Sequence, residues 1–421
     1  MILTIIISVA ATLVVVFFAL NLTTGEKRVK KRIEHLYSIH DAQFQRTMGV
    51  LLGPIIVSGN RFEALENGDE IFPSMLKSIA DAQKSISFET YIYWSGDVGK
   101  MFADALSQRA RAGVNVHVLL DWLGSDKMDQ SYLLEMRDAG VEVRRYHAPK
   151  WYNLNKLNNR THRKILVVDG RVGHTGGVGI AAEWTGHAQD PQHWRDSHFR
   201  AEGPVVAQMQ AVFGDNWVKA TGKVLDGADY FPVLAAVGDG AAQMFASSPS
   251  GGSESMEIMY LLMIAAAERS IELSSAYFVP DEIARNALVA ALKRGVRVRV
   301  ITPGPNIDNQ TVRRASRASW GDLLKSGAEI HEYQPTMFHC KVLVADGLLV
   351  SVGSTNFDAR SFHLNDEASL NIYDEAFATR QIEVFERDLE SSKRITYDQW
   401  RDRPLAEKIR DHVSALIASQ I

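Results

Sequence analysis

His162-Arg163-Lys164-Ile165-Leu166-Val167-Val168-Asp169-Gly170 and His339-Cys340-Lys341-Val342-Leu343-Val344-Ala345-Asp346-Gly347 are two writings of one phrase. Both read H-x-K-x4-D, and after six intervening residues each reaches a small pair, Gly176-Gly177 or Gly353-Ser354. Between Lys and Asp runs an apolar, β-branched stretch that predicts a strand bounded by a Gly turn. The duplication extends outward from the phrase. Ser85-Ile86-Ser87-Phe88-Glu89-Thr90-Tyr91 parallels Ser270-Ile271-Glu272-Leu273-Ser274-Ser275-Ala276-Tyr277, each a strand after a helical stretch. Arg111-Ala112-Gly113-Val114-Asn115-Val116 parallels Lys293-Arg294-Gly295-Val296-Arg297-Val298, a glycine-capped helix end running into a strand. Ala139-Gly140-Val141 answers Ser326-Gly327-Ala328 in the same way. Strands alternating with helices predict an α/β fold with a parallel or mixed sheet in each half.

The chemistry of the phrase points to a phosphodiester. Such a substrate is anionic and resists nucleophiles until its charge is offset, which Lys164 and Lys341 can do as ammonium groups. One neutral imidazole can attack phosphorus and hold the group covalently, dividing a hard displacement into two easier ones. The second, protonated first, donates to the leaving alkoxide and then takes the acceptor's proton. The candidate catalytic set is therefore His162, Lys164 and Asp169 with His339, Lys341 and Asp346. Asp169 and Asp346 are expected to hold the strand-to-turn backbone and not to touch substrate. Gly177 and Ser354 are expected to let backbone N–H groups approach phosphate oxygens, and Asn356 to add a side-chain donor. Each imidazole needs an acceptor at its second nitrogen. Glu367 is the candidate for His339, and Asp196 for His162. Cys340 lies between His339 and Lys341, so on a strand it faces the opposite way, into the core. No metal and no other cofactor is expected, since the lysines supply the positive charge.

These residues resemble the phospholipase D superfamily. The stretches HRKILVVDG, GGVGIAAEW and WRD, with HCKVLVADG and GSTNFDARSFHLNDE, are most similar to bacterial cardiolipin synthases. The likeness runs from Phe62 to about Tyr373. It implies two pseudo-symmetric α-β-α sandwich lobes whose histidines meet at the lobe interface, and phosphatidyl transfer through a phosphohistidine without metal. By the superfamily's usual order His162 is the nucleophile and His339 the general acid/base, although the pseudo-symmetry admits the reverse. Implied substrates are phospholipids, two phosphatidylglycerols giving cardiolipin and glycerol. Hydrolysis by a phospholipase D is the nearest alternative, since the same residues serve water. One position departs from the pattern: Gly179 stands where the second copy has Asn356.

The chain's outer parts set the expected organisation. Ile2 to Leu22 carries no charge and is long enough to cross a bilayer as a helix, and Lys27, Arg28, Lys30, Lys31 and Arg32 follow. The positive-inside rule then puts the lobes on the cytoplasmic side of a bacterial inner membrane. The expected divisions are a span over 1–24, a basic connector over 25–52, a first lobe over 53–221, a linker over 222–252 and a second lobe over 253–421. Lys150 to Leu157, mixing aromatic, aliphatic and basic residues, reads as a membrane-facing lip or a packed loop. Leu405, Ile409, Val413, Leu416 and Ile417 recur at helical spacing and predict an amphipathic helix packed on the second lobe, with membrane contact as the alternative. A net charge of -4 and a sequence pI near 6.4 argue against a nucleic-acid partner, despite nucleases that share the phrase.

Overall fold

The computed structural model describes residues 2–22, 29, 33–148, 158–249 and 256–417. The five basic residues after the apolar run and the segment Lys150 to Leu157 lie outside the described residues. In the first half the strands are β1 (Val57–Glu66), β2 (Ser85–Thr90), β3 (Asn115–Asp121), β4 (Glu142–Tyr146), β5 (Arg160–Thr161), β6 (Ile165–Val168), β7 (Val172–Gly176) and β8 (Ser197–Glu202). In the second they are β9 (Gly240–Ser247), β10 (Ser270–Ser275), β11 (Phe278–Val279), β12 (Arg297–Pro303), β13 (Glu329–Tyr333), β14 (Lys341–Ala345), β15 (Leu349–Gly353), β16 (Phe357–Asp358), β17 (Asn365–Tyr373) and β18 (Ser392–Ile395).

The sheet order shows the duplication directly. One half runs β1-β8-β7-β6-β2-β3-β4 and the other β9-β17-β15-β14-β10-β12-β13, with β18 added at the edge. The parallel pairs are the same in both, β2·β3·β4 and β10·β12·β13, where helices make the crossovers. The two sheets join edge to edge through antiparallel β1 and β9, Val57 opposite Ala242 and Asn60 opposite Gly240. Neither seam strand is left as an open edge, which would otherwise expose a row of unpaired amides.

Local chemistry explains the matched turns. Gly113 and Gly295 sit at φ +91° and +95°, each ending a helix so that the next residue's N–H can reach back, Val114 to Arg109 O and Val296 to Ala291 O at 3.1 Å. Asp169 and Asp346 occupy the left-handed region at φ 53° and 54°, a conformation that Asp tolerates better than most residues. Their carboxylates collect three successive backbone N–H groups, Gln83 to Ser85 in one copy and Glu268 to Ser270 in the other. The motif aspartates thus tie the hairpin turn to the start of β2 or β10, as expected, and belong to the scaffold and not to the reacting set.

Three large apolar clusters fill the layers. The helices Asn67–Asp81 and Asp97–Arg111 cover one face of the first sheet, through Phe72, Phe88 and Phe102. Helix Met256–Ala266 and helix Glu282–Lys293 do the same in the second half. A third cluster uses both halves at once, with Ile165, Phe199 and Trp217 against Val344, Val350 and Leu370. The halves therefore share a core and are not beads on a string.

Three divisions differ from the sequence reading. The stretch 222–252 contains β9, the first strand of the second sheet. Its earlier part lies along the first half, with Tyr230 bonded to His117 at 2.8 Å and Ser85 to Asp229 O at 2.6 Å. The connector 25–52 is not merely a basic link: Ile39, Phe44, Met48 and Leu52 are buried in the second half's core, beside Met256 and Met259. The C-terminal helix Leu405–Ala415 is turned over relative to expectation. Leu405, Ile409 and Val413 are 72%, 54% and 59% exposed, while Asp411 and Ser414 are buried. The reason is electrostatic, since Arg403 meets Asp411 at 3.2 Å and Arg317 meets Glu407 at 3.2 Å, tethering the polar face to the body.

Residues 2–22 form one helix, Ile2–Leu22, whose described apolar side chains are exposed. Among the described residues no helix is long and apolar enough to cross a membrane. The connector's place in the core is testable. Phe44 has no exposed surface, so Phe44→Ala is expected to cost about 3–5 kcal/mol, read as a lowered midpoint in urea. An unchanged midpoint would detach residues 39–52 from the fold.

Candidate active site

Two short pairings across the halves assemble the site. β5 runs parallel to the start of β17, Arg160 beside Asn365 and Thr161 beside Asp366, and His162 N–H donates to Asp366 O at 2.9 Å. In the mirror position Arg195 bridges Phe338, and His339 N–H donates to Arg195 O at 2.7 Å. Each histidine is thus fixed at its backbone by the opposite half. The next residue on the receiving strand is a carboxylate in both cases, Glu367 after Asp366 and Asp196 after Arg195.

That register decides the pairing of imidazole with carboxylate. His162 Nδ1 lies 3.0 Å from both oxygens of Glu367, and His339 Nδ1 lies 2.7 Å from Asp196 Oδ2. The expected pairing, Glu367 with His339 and Asp196 with His162, is therefore crossed. The sequence reading placed each orienter within its own repeat, whereas the strand exchange delivers it from the other one. Nδ1–H donation to a carboxylate leaves Nε2 as the ring nitrogen that can act on substrate. Both carboxylates are buried and held low despite burial, because the adjacent imidazole and lysine favour their anions.

The small pairs differ in role from what the sequence suggests. Gly177 N–H donates to Ser197 O at 3.1 Å and Ser354 N–H to Ala368 O at 3.0 Å, so both amides are spent inside the sheet, not on phosphate. A Cβ on Gly177 would stand 2.2 Å from Asp196 Oδ1, so glycine here clears space for the carboxylate. Ser354 instead sends its hydroxyl to Glu367 Oε2 at 2.5 Å. Asn356 does reach the cavity, and its buried Oδ1 has no hydrogen-bond partner among the described residues. At Gly179 a Cβ would meet Ile92 Cβ at 2.7 Å and Trp184 Cζ3 at 3.1 Å, so the first copy has no room for an asparagine.

A single cavity of about 270 Å³ is lined by His162, Lys164, His339 and Asn356 from both halves. Its walls are aromatic, which sequence reading did not foresee. Tyr91 stands 5.3 Å from the His162 ring, and Trp184 and Trp194 each stand 5.3 Å from His339. Trp184 also donates Nε1–H to Asp196 Oδ2 at 2.8 Å, so indole and imidazole share one carboxylate oxygen. Such a dry wall raises the strength of every charge inside. Burial lowers His162 to about 4 and His339 to about 3, which keeps both rings neutral in the empty site. Burial likewise lowers Lys164 to about 7 and pulls Lys341 down. Lys341 Nζ sits 3.1 Å from both His339 ring nitrogens. Cys340 packs with Phe338 and Ile301, as expected for the face opposite the site. Its counterpart Arg163 is fully buried, donating to Val212 O and Ser247 O. Among the described residues one trio, Glu257, Asp281 and His363, brings possible metal-ligand atoms within 4.8 Å, and none of the three lines this cavity.

A family model described as "Cardiolipin synthase, PLD-like domain" matches residues 75–217 and 260–389. Over 357 residues the chain is 37% identical to a cardiolipin synthase of Geobacillus kaustophilus (strain HTA426), covering 84% of this chain and 71% of that one. It is 34% identical over 367 residues to the major cardiolipin synthase ClsA of Bacillus subtilis (strain 168), covering 86% of this chain and 76% of that one. Among solved structures, a phosphatidylserine synthase of Haemophilus influenzae Rd KW20 shares the fold, with a TM-score of 0.67 over 90% of this chain and 100% of that one at 12% identity. The chain belongs to the phospholipase D-like family of cardiolipin synthases.

The lowered lysine gives a pH signature. With Lys164 near 7 in the empty site, its positive charge is lost as pH rises, and kcat/KM for a phospholipid is expected to fall above about pH 7. Bound phosphate favours the ammonium, so the corresponding fall in kcat is expected at higher pH. Coincident alkaline limbs in the two profiles would contradict this assignment.

Proposed function

We propose that the chain is a cardiolipin synthase, joining two phosphatidylglycerols with release of glycerol through a phosphohistidine. One observation carries the reading: both imidazoles open on one cavity, each oriented by a carboxylate from the opposite half. His162 Nε2 attacks phosphorus, forming the P–N bond as the bond to glycerol breaks. His339, protonated as substrate enters, gives its proton to the departing glycerol oxygen. The anionic phosphate supplies the charge that favours this imidazolium, against the burial that keeps the ring neutral when the site is empty. The neutral His339 then removes a proton from the terminal hydroxyl of the second lipid. That oxygen attacks, the P–N bond breaks, and both histidines return to their starting states. Lys164, Lys341 and the Asn356 amide offset the charge on the equatorial oxygens.

The uncharged apolar sequence Ile2 to Leu22 and the basic residues after it support a seat at a bacterial inner membrane with the lobes on the cytoplasmic side. Anchoring raises the effective concentration of two lipid substrates in one leaflet.

Purified protein given phosphatidylglycerol alone is expected to yield cardiolipin and glycerol by mass spectrometry, with chelators leaving the rate intact. His162→Ala and His339→Ala are each expected to remove the product. Phosphatidic acid without cardiolipin would make the chain a hydrolase, and strong loss with chelator would overturn the metal-free scheme.

A further inference from the structure

The two ends of the cavity are not alike, although the fold is duplicated. Arg160 lies two residues before His162, on the same face of the extended chain, and is 9% exposed. Arg360 follows Asn356 on helix Ala359–His363 of the other half. Both line the cavity. The repeat supplies its own comparison: the position matching Arg160 is Met337, before His339, and the position matching Arg360 is Glu183, after Gly179. Duplication alone would have given two equivalent ends. One end has instead gained two guanidinium groups, and the other has none at those places.

From this asymmetry we propose that Arg160 and Arg360 seat the phosphate of the second, attacking lipid. The inference rests on the transfer reading above and assigns the acceptor half of that site. An acceptor phosphatidylglycerol brings its nucleophilic hydroxyl three carbons from its own phosphate, so a second anion must enter beside the phosphorus under attack. Lys164, Lys341 and Asn356 serve the first phosphate, and the second needs cations of its own. Planar guanidinium forks match phosphate oxygens well.

The surroundings fit an anion. Arg160 donates to the neutral Asn159 carbonyl at 2.8 Å and faces the Trp122 ring at 5.4 Å, and Arg360 donates to Asn158 O at 2.9 Å and Oδ1 at 3.2 Å. Two carboxyls share the cavity, and each also holds a hydrogen-bond partner of its own. Asp358 caps the helix through Ser361 N–H at 2.7 Å and is pushed up to about 7 by burial. Asp308 accepts from Tyr277 at 2.7 Å and is raised by burial. Arg360 is lowered, first by burial and then by the charge of Arg160, against a smaller raising pull from Tyr91, Asp358 and Asp121. An entering phosphate relieves that repulsion. Water and glycerol carry no phosphate, so the arginines bias the phosphohistidine toward a lipid acceptor and away from hydrolysis.

The test needs no variant at first. Wild-type protein acting on phosphatidylglycerol is offered equal concentrations of sn-glycerol 3-phosphate and isotope-labelled glycerol as soluble acceptors. Capture by the phosphorylated acceptor is expected to exceed capture by glycerol at least tenfold, and equal capture overturns the inference. In parallel, Arg160→Met and Arg360→Gln are expected to lower the ratio of cardiolipin to phosphatidic acid at least tenfold. Arg160→Lys is expected to restore much of that ratio. An unchanged ratio in both charge-removing variants, with folding shown by an unshifted melting curve, also overturns it. Wild-type protein that makes no cardiolipin would refute the transfer reading, whereas wild-type protein that makes cardiolipin without acceptor preference refutes only the role of the arginines.

Discussion

The site depends on an exchange of backbone hydrogen bonds between the two halves. Each catalytic histidine lies at the end of a short extended segment that pairs, not with its own sheet, but with residues at or just before the start of a strand in the other half. The bonds His162 N–H to Asp366 O and His339 N–H to Arg195 O place Glu367 and Asp196 against the imidazoles by register alone. A one-residue slip would turn those carboxylates to the opposite face of the strand. Neither half therefore contains a complete catalytic unit. The shared core behind the site, together with Arg195 bound to Asp388 at 2.9 Å, fixes the halves relative to one another. Removing one partner of a buried pair of this kind typically costs about 3–5 kcal/mol, so the interface is held by the same class of interaction that orients the catalytic rings.

On this symmetric frame the two copies diverge where chemistry requires different tasks. Gly177 makes room for Asp196, while Ser354 reaches toward Glu367 with its hydroxyl. Gly179 packs under Ile92 and Trp184, while Asn356 opens into the cavity. His339 lies against two indoles, and His162 against one phenol. Two rings with the same covalent structure thus meet different fields, as expected of a pair in which one attacks and the other carries protons. The common low dielectric keeps both neutral until a phosphate arrives.

Much of this was readable from the chain. The paired H-x-K-x4-D phrase, the matched strands and the glycine helix ends reflect local rules, in which a few neighbouring residues determine the outcome. Asp169 and Asp346 could be assigned to the turns because an Asp-Gly step has few conformations. What could not be read depends on how distant pieces meet. The crossed carboxylates follow from inter-half register, which has no signature in either repeat. The commitment of the Gly177 and Ser354 amides to the sheet follows from β8 and β17 lying alongside. The outward apolar stripe of Leu405, Ile409 and Val413 has the same period whichever way the helix is turned, and Arg403 and Arg317 decide it. Arg160 and Arg360 gave one usable signal, their mismatch with Met337 and Glu183, visible only once the repeats are aligned.

The crossed pairing is most directly tested by nitrogen-15 NMR of the histidine rings, with His162 and His339 assigned by single substitution. The account expects Glu367→Gln to shift the Nδ1 resonance of His162 while leaving that of His339 in place, and Asp196→Asn to do the opposite. If Glu367→Gln moves only the His339 signal, each orienter acts within its own repeat, and the shared site described here is wrong.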